Sequence, residues 1–205
     1  MPIYRTDKKY ITHLVQNYRS HEAILRISSK LFYGNSLQAK GNAERINRYI
    51  GTSILMSRNF PVIFDAQRGV CSRQNEETSF FNQLEVDTVI SYIQKLLQSP
   101  ELPKITQKDI GIVTTYKKQM KLLMNTCKRN SYCDIEIGSV ELFQGKEKPV
   151  IIVSTVRSQM NSIGFLKSPK VGVLVSLFLG FKLPSFFPEI ECSNDESDES
   201  SDHHW

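Results

Sequence analysis

Residues 150–156 read VIIVSTV. Almost every position is apolar, and most are β-branched. A run of that kind is expected to be a strand covered on both faces, as in a parallel sheet flanked by helices. Two further strands fit beside it, DIGIVTT at 109–115 and Ile135–Val140. Between and before them lie helical patterns. Leu84, Val86, Val89, Ile90, Ile93, Leu96 and Leu97 recur at helical spacing within Ser79–Leu97, which Pro100 and Pro103 terminate. Lys117–Lys128 places Met120, Leu123, Met124 and Cys127 on one side. Upstream, Ser20 is expected to cap a helix with Glu22 in its first turn, and Ile24, Leu25, Ile27, Leu31 and Phe32 on its apolar face. Gly34 can stop that helix. Pro61–Asp65 (PVIFD) reads as a short strand.

Strand and helix alternate, so the fold class is α/β, a mostly parallel sheet with right-handed crossovers. Ligands of such sheets sit at the carboxyl ends of strands. Two of those ends are polar here, at Thr114, Thr115 and Tyr116 and at Ser154–Arg157.

The net charge of +5 hides a split. Ser185–Trp205 holds seven acidic residues and no Lys or Arg, which leaves 26 basic against 14 acidic residues in 1–184. A body at +12 suits a nucleic-acid partner, and it equally suits a solvated basic surface. The cysteines at 71, 127, 133 and 192 have no C-x-x-C spacing and no neighbouring histidines, so neither a zinc site nor a disulfide framework is expected. The start of the chain has no apolar stretch of the signal-peptide kind.

No phosphate-cradling loop is legible. Gly138 precedes Gly145-Lys146 at the wrong spacing, and Glu147 stands where a Ser or Thr would hold magnesium. The Asp-Glu pairs, 195–196 and 198–199, do not follow an apolar strand. Two other segments carry more. In LVQNYRSH (14–21) a planar Tyr18 beside Arg19, just before a helix, can stack on a base and reach a phosphate. Taken alone, Tyr-Arg pairs are common on surfaces. In GSVELFQGKEKPVIIVSTVRS (138–158) the Gln144-Gly145-Lys146-Glu147 turn gathers backbone N–H groups, an amide and a carboxylate between two strands. Taken alone, it is a tight turn.

The blocks NYRSH, FFNQLEVDTVISYI, DIGIVTTYKKQ, SVELFQGKEKPVIIVSTVRS and GFLKSPK occur in this order. Together they resemble the second RecA-like motor domain of superfamily 1 RNA helicases, of the Armitage and Moloney-leukemia-virus-10-like branch. The resemblance runs from about residue 15 to 170. It implies a RecA-like fold of the P-loop NTPase type, ATP as nucleotide, and single-stranded RNA and small-RNA silencing proteins as partners. It implies a cytoplasmic setting that includes ribonucleoprotein granules. By the same resemblance Tyr18 would stack on adenine and Arg19 would reach the γ-phosphate as the catalytic arginine. Gln144, Gly145 and Glu147 would line the nucleotide cleft, with Glu147 near the ribose. Thr114, Thr115 and Ser139 would lie along the RNA backbone, contacts that bind without reading sequence. Asn82 and Glu85 would be structural. No metal ligand is expected, since magnesium in this family is held by the first motor domain.

Departures also shape the expectation. The strand-end motif usually reads Thr-Pro-Tyr-Arg; here it is Thr114-Thr115-Tyr116-Lys117, which keeps the charge and loses the planar fork. After Lys170 the family continues into an Arg-Phe-Asn-Val-Ala block, whereas here an apolar run begins at Val171. Val171–Phe181 is about half the ~20 residues a membrane span needs, so no membrane attachment is expected. The expected organisation is a leader at 1–14, the RecA-like domain at 15–170 with its last strands incomplete, an apolar segment at 171–188, and an acidic disordered tail at 189–205. That pattern fits a truncated isoform or an incomplete gene model, inactive alone for want of the phosphate-gripping motifs. The alternative is a non-catalytic module that binds RNA or a helicase.

Overall fold

The computed structural model describes residues 14–67, 72–73 and 79–156. The GFLKSPK block, the apolar run from Val171, the acidic tail and most of the leader lie outside the described residues.

The elements are β1 (Gln16–Asn17), α1 (Glu22–Phe32), β2 (Gln38–Ala39), α2 (Ala43–Ile46), β3 (Ser72–Arg73), β4 (Phe80–Phe81) and α3 (Gln83–Gln98). There follow β5 (Ile110–Thr114), α4 (Lys117–Arg129), β6 (Glu136–Gly138) and β7 (Val150–Ser154). Short 3-10 turns occupy Gln107–Asp109 and Glu141–Phe143. The principal sheet is parallel in the order β6-β5-β7, with Ile110 beside Val150 and Thr114 beside Ser154. β1 and β2 form a second parallel pair, and β3 and β4 an antiparallel one. Parallel strands with flanking helices bear out the α/β expectation.

One face of the sheet carries Ile110, Ile112 and Ile137, onto which α3 packs Val86, Val89, Ile93 and Leu96 and α4 packs Leu123 and Cys127. The alternate residue Val113 turns to the other face and meets Val140, Phe143, Ile151 and Val153. Shortening Ile112, which is fully buried, to alanine is expected to cost about 2–5 kcal/mol, read as a lower denaturant midpoint with an unchanged slope.

Several elements depart from expectation. α1 is capped by His21, whose Nδ1 accepts from the Ala23 N–H at 3.0 Å, whereas the Ser20 N–H is itself taken by Asn17 Oδ1 at 2.9 Å. α3 begins at Gln83 with Asn82 as its cap, because Phe80 and Phe81 pair with Arg73 and Ser72. Pro61–Asp65 is not a strand: among the described residues it has no ladder partner, and Val62 N–H turns to the nearby Phe60 carbonyl at 2.8 Å. Leu31, Leu84 and Met124 lie exposed, so the apolar stripes of their helices are narrower than the spacing implied. β7 is half-buried along Val150–Val153 and only Ser154 is fully covered, because among the described residues it has a neighbour on one side only.

The turn before β5 is closed by a reciprocal cap. Asp109 Oδ2 accepts from both the Thr106 N–H at 2.7 Å and the Thr106 hydroxyl at 2.8 Å. These bonds hold the Asp109 carboxyl below its ordinary value. A carboxyl with a lower pKa when folded binds fewer protons folded than unfolded. Its stabilisation is therefore present above the ordinary value of 3.8 and is lost as pH falls through the lower folded value. Acid titration should show Asp109→Asn less stable than the parent at neutral pH, with the gap closing as pH drops below about 4.

Candidate functional site

Tyr18 and Arg19 leave β1 and precede α1. Their backbone is pinned by the parallel ladder, in which Gln38 N–H donates to the Val15 carbonyl at 2.8 Å and Lys40 N–H to the Asn17 carbonyl at 2.7 Å. Asn17 folds its side chain back to accept from the Arg19 N–H at 2.9 Å. Gly41 then sits directly against this segment. A Cβ on it would lie 2.6 Å from the Tyr18 carbonyl oxygen and 2.7 Å from Ile46 Cγ2, so no other residue fits without displacement. Tyr18 is 59% exposed, and its hydroxyl donates to Gln16 Oε1 at 2.6 Å.

Glu147 reaches this segment from 128 residues away. The turn that delivers it passes through Gln144, exposed at the end of the 3-10 turn, and Gly145, whose φ of +79° is a conformation that favours glycine. Beyond Gly145 the side chains alternate. Lys146 and Lys148 turn to Glu136, the latter at 3.3 Å, and Lys148 also donates to the Lys108 carbonyl at 2.7 Å. Glu147 turns the other way. Its Oε1 accepts from Arg19 Nε and its Oε2 from Arg45 Nη2, the latter at 2.7 Å. Hydrogen bonds from Arg45 and then Arg19 hold the Glu147 carboxyl below its usual range.

Arg19, Arg45 and Glu147 stand on the lip of a cavity of about 960 Å³ that runs between the β7 strand and Pro61–Gln67. Its two other acidic groups are already engaged. Asp65 Oδ2 accepts from the Tyr92 hydroxyl at 3.0 Å; burial, and then this bond, push that phenol up to about 12. Glu85 Oε2 accepts from the Ser154 hydroxyl at 2.6 Å and the Val156 N–H at 3.0 Å.

The residues expected along RNA lie elsewhere. Thr114 ends β5, and Ser139 follows β6, whose Gly138 sits beside Val113. Thr114, Thr115 and Ser139 therefore share the carboxyl edge of the sheet. Glu147 precedes Val150, which pairs with Ile110 at the amino edge. The two groups are brought to opposite ends of the strands. Thr114 is only 2% exposed, and its hydroxyl and that of Thr115 are buried without a partner among the described residues.

Near the carboxyl end of β7 lies a buried polar cluster. Gln119 of α4 is fully buried, accepts from the Asn82 N–H at 2.9 Å, and donates to the Asn82 carbonyl at 3.2 Å and the Ser154 hydroxyl at 2.9 Å. Asn82 Nδ2 donates to the Val156 carbonyl at 3.3 Å. Val156 has φ +68°, a strained conformation for a β-branched residue, and Asn82 and Glu85 hold it there from both sides. Asn82 and Glu85 are thus structural, as expected. Arg45 and Gln119 were missed. The signal for Arg45 is slight, an Asn42 three residues before it; the Asn42 side chain accepts from the Arg45 N–H at 3.2 Å and caps α2. Among the described residues no group of three or more His, Cys, Asp or Glu side chains is placed to hold a metal ion, and no helix is long and apolar enough to cross a membrane.

Comparison with known proteins agrees with the geometry. A family model described as an AAA domain matches residues 3–175. The helicase mov-10-B.1 of Danio rerio is 40% identical over 182 residues, covering 80% of this chain and 18% of that protein. RNA helicase Mov10l1 of Homo sapiens is 37% identical over 167 residues, covering 78% of this chain and 14% of that protein. ATP-dependent helicase upf1 of Schizosaccharomyces pombe is 33% identical over 165 residues, 77% of this chain and 17% of that protein. The chain spans less than a fifth of the length of these relatives. With the greater part of its residues matched, it belongs to the AAA domain family, as the second RecA-like domain of superfamily 1 helicases in their Armitage and MOV10-like branch.

Proposed function

We propose that the chain supplies the second-domain side of the motor of an ATP-driven RNA helicase that acts in small-RNA silencing, in the cytoplasm and its ribonucleoprotein granules. The observation that carries this is the meeting of Arg19 with Glu147 beside the exposed ring of Tyr18. Tyr18 stacks on the adenine. Arg19 meets the γ-phosphate, where a fixed guanidinium stabilises the charge that builds during transfer. Glu147 accepts a hydrogen bond from the ribose, and Gln144 and Gly145 complete that wall of the cleft. The residues present suit a nucleoside triphosphate: an exposed aromatic residue and a planar cation follow one another in the chain, and an acceptor meets the cation. Magnesium and the remaining phosphate contacts come from the first motor domain.

RNA runs along the carboxyl edge, past Thr114, Thr115 and Ser139, and is held by backbone contacts that do not read sequence. In domain terms, residues 15–170 act as the motor half, residues 1–14 as a leader, 171–188 as an apolar segment and 189–205 as an acidic tail.

The test is complementation. The first motor domain of a MOV10-like relative, purified alone, is mixed with this chain, ATP, magnesium and oligo-RNA. Turnover should rise when the chain is added and should fall at least ~100-fold with Arg19→Ala. Equal turnover with and without the chain would contradict the reading.

A further inference from the structure

Two arginines, 26 residues apart, converge on one carboxylate. Arg19 holds Oε1 of Glu147 and Arg45 holds Oε2. Stability does not account for the second one. Both arginine side chains are more than half exposed, at 57% and 56%, and exposed ion pairs contribute little. One carboxylate also leaves the trio with a net positive charge. The other charged groups around the cavity do not cancel it: Asp65 and Glu85 are turned to Tyr92, Ser154 and Val156, Lys146 and Lys148 to Glu136, and Arg48, itself positive, to the Lys104 carbonyl.

Arg45 is also as firmly placed as Arg19. Asn42 caps the turn that carries it. Gly41 seats that turn against the Tyr18 carbonyl, and the β1–β2 ladder fixes both segments together. Tyr18, Arg19 and Arg45 therefore move as one body.

We propose that Arg45 is a second phosphate-binding residue of the cleft, taking oxygens of the same nucleoside triphosphate as Arg19; this rests on the nucleotide reading above. Two planar forks that share a carboxylate present the donors an oxyanion needs, and a phosphate group can replace Glu147 between them. Glu147 is then the resident anion of the empty lip and is freed towards the sugar when phosphate arrives. A nucleotide is favoured over an RNA phosphodiester because the stacking ring of Tyr18 belongs to the same body, while Thr114, Thr115 and Ser139 lie at the other end of the sheet.

The experiment is calorimetric titration of the full chain with ATP, with AMP and with oligo-RNA, for the parent, Arg19→Ala, Arg45→Ala and Arg45→Lys. Arg45→Ala should weaken ATP about tenfold and leave AMP within twofold, because AMP lacks the distal phosphates. Arg45→Lys should recover part of the loss, since it keeps the charge but not the fork. If Arg19→Ala weakens ATP and Arg45→Ala does not, the role of Arg45 is overturned and the nucleotide reading stands. Equal losses for ATP and AMP would mean that Arg45 only shapes the site, and would also overturn it. Loss of oligo-RNA binding alone, with ATP unchanged, would reassign Arg45 to RNA. No saturable ATP binding by the parent would overturn both.

Discussion

Gln119→Leu is expected to destabilise the domain by about 3 kcal/mol, although the two side chains are close in volume. Leucine fills the space but makes none of the bonds. The Asn82 N–H would lose its acceptor in a place where the residue has no exposure at all, and Ser154 would lose a donor. A buried N–H left unpaired costs its full desolvation, which is larger than the net worth of the bond it replaces. The effect should also reach Val156, since Asn82 holds the carbonyl of that strained residue. Chemical denaturation gives the magnitude. Hydrogen exchange should in addition show faster opening at Ser154–Val156 than at Ile110–Val113. A change below about 0.5 kcal/mol would mean that the polar chain is not a structural tie.

Gly41→Val is expected to disable nucleotide binding while leaving most of the fold intact. The new side chain meets a backbone oxygen at 2.6 Å, which cannot swing aside as a side chain would. Relief requires the β1–β2 corner to open, and that corner carries Tyr18 and Arg19 on one arm and Arg45 on the other. Misplacing a fixed contact by an ångström is enough to cost about 100-fold where geometry decides. ATP affinity should therefore drop by a factor on that order, with a much smaller change in the denaturation midpoint, since the core around Ile112 and Leu123 lies elsewhere. Unchanged ATP affinity would show that the corner does not position the site.

The sequence made the central elements legible because their signals are local. α4 begins at the expected Lys117, and β5 and β7 lie within their apolar runs. What it hid depends on distant neighbours. Whether PVIFD becomes a strand is decided by a pairing partner, not by its own residues, and none of the described residues supplies one. The first four residues of β7 have the composition of a doubly covered strand and only half its burial, for the same reason. Gln119 follows Lys117 and Lys118 and reads as part of a solvated face, yet it is fully buried among the contacts joining α3, α4 and β7. The Tyr18-Arg19 pair and the Gly145-Glu147 turn were each unremarkable alone. Their meeting across 128 residues is tertiary information, which the ordered blocks of the sequence anticipated only through resemblance. Arg45 had no such guide, because a four-residue helix is too short to show a period.

Photoaffinity labelling with an azido-ATP, followed by peptide mapping, tests the nucleotide site most directly. The expected result is labelling of the peptide that contains Tyr18, removed by excess unlabelled ATP and weakened in Arg19→Ala. Labelling that ATP does not displace, or that falls on the carboxyl edge around Thr114 and Ser139, would contradict it.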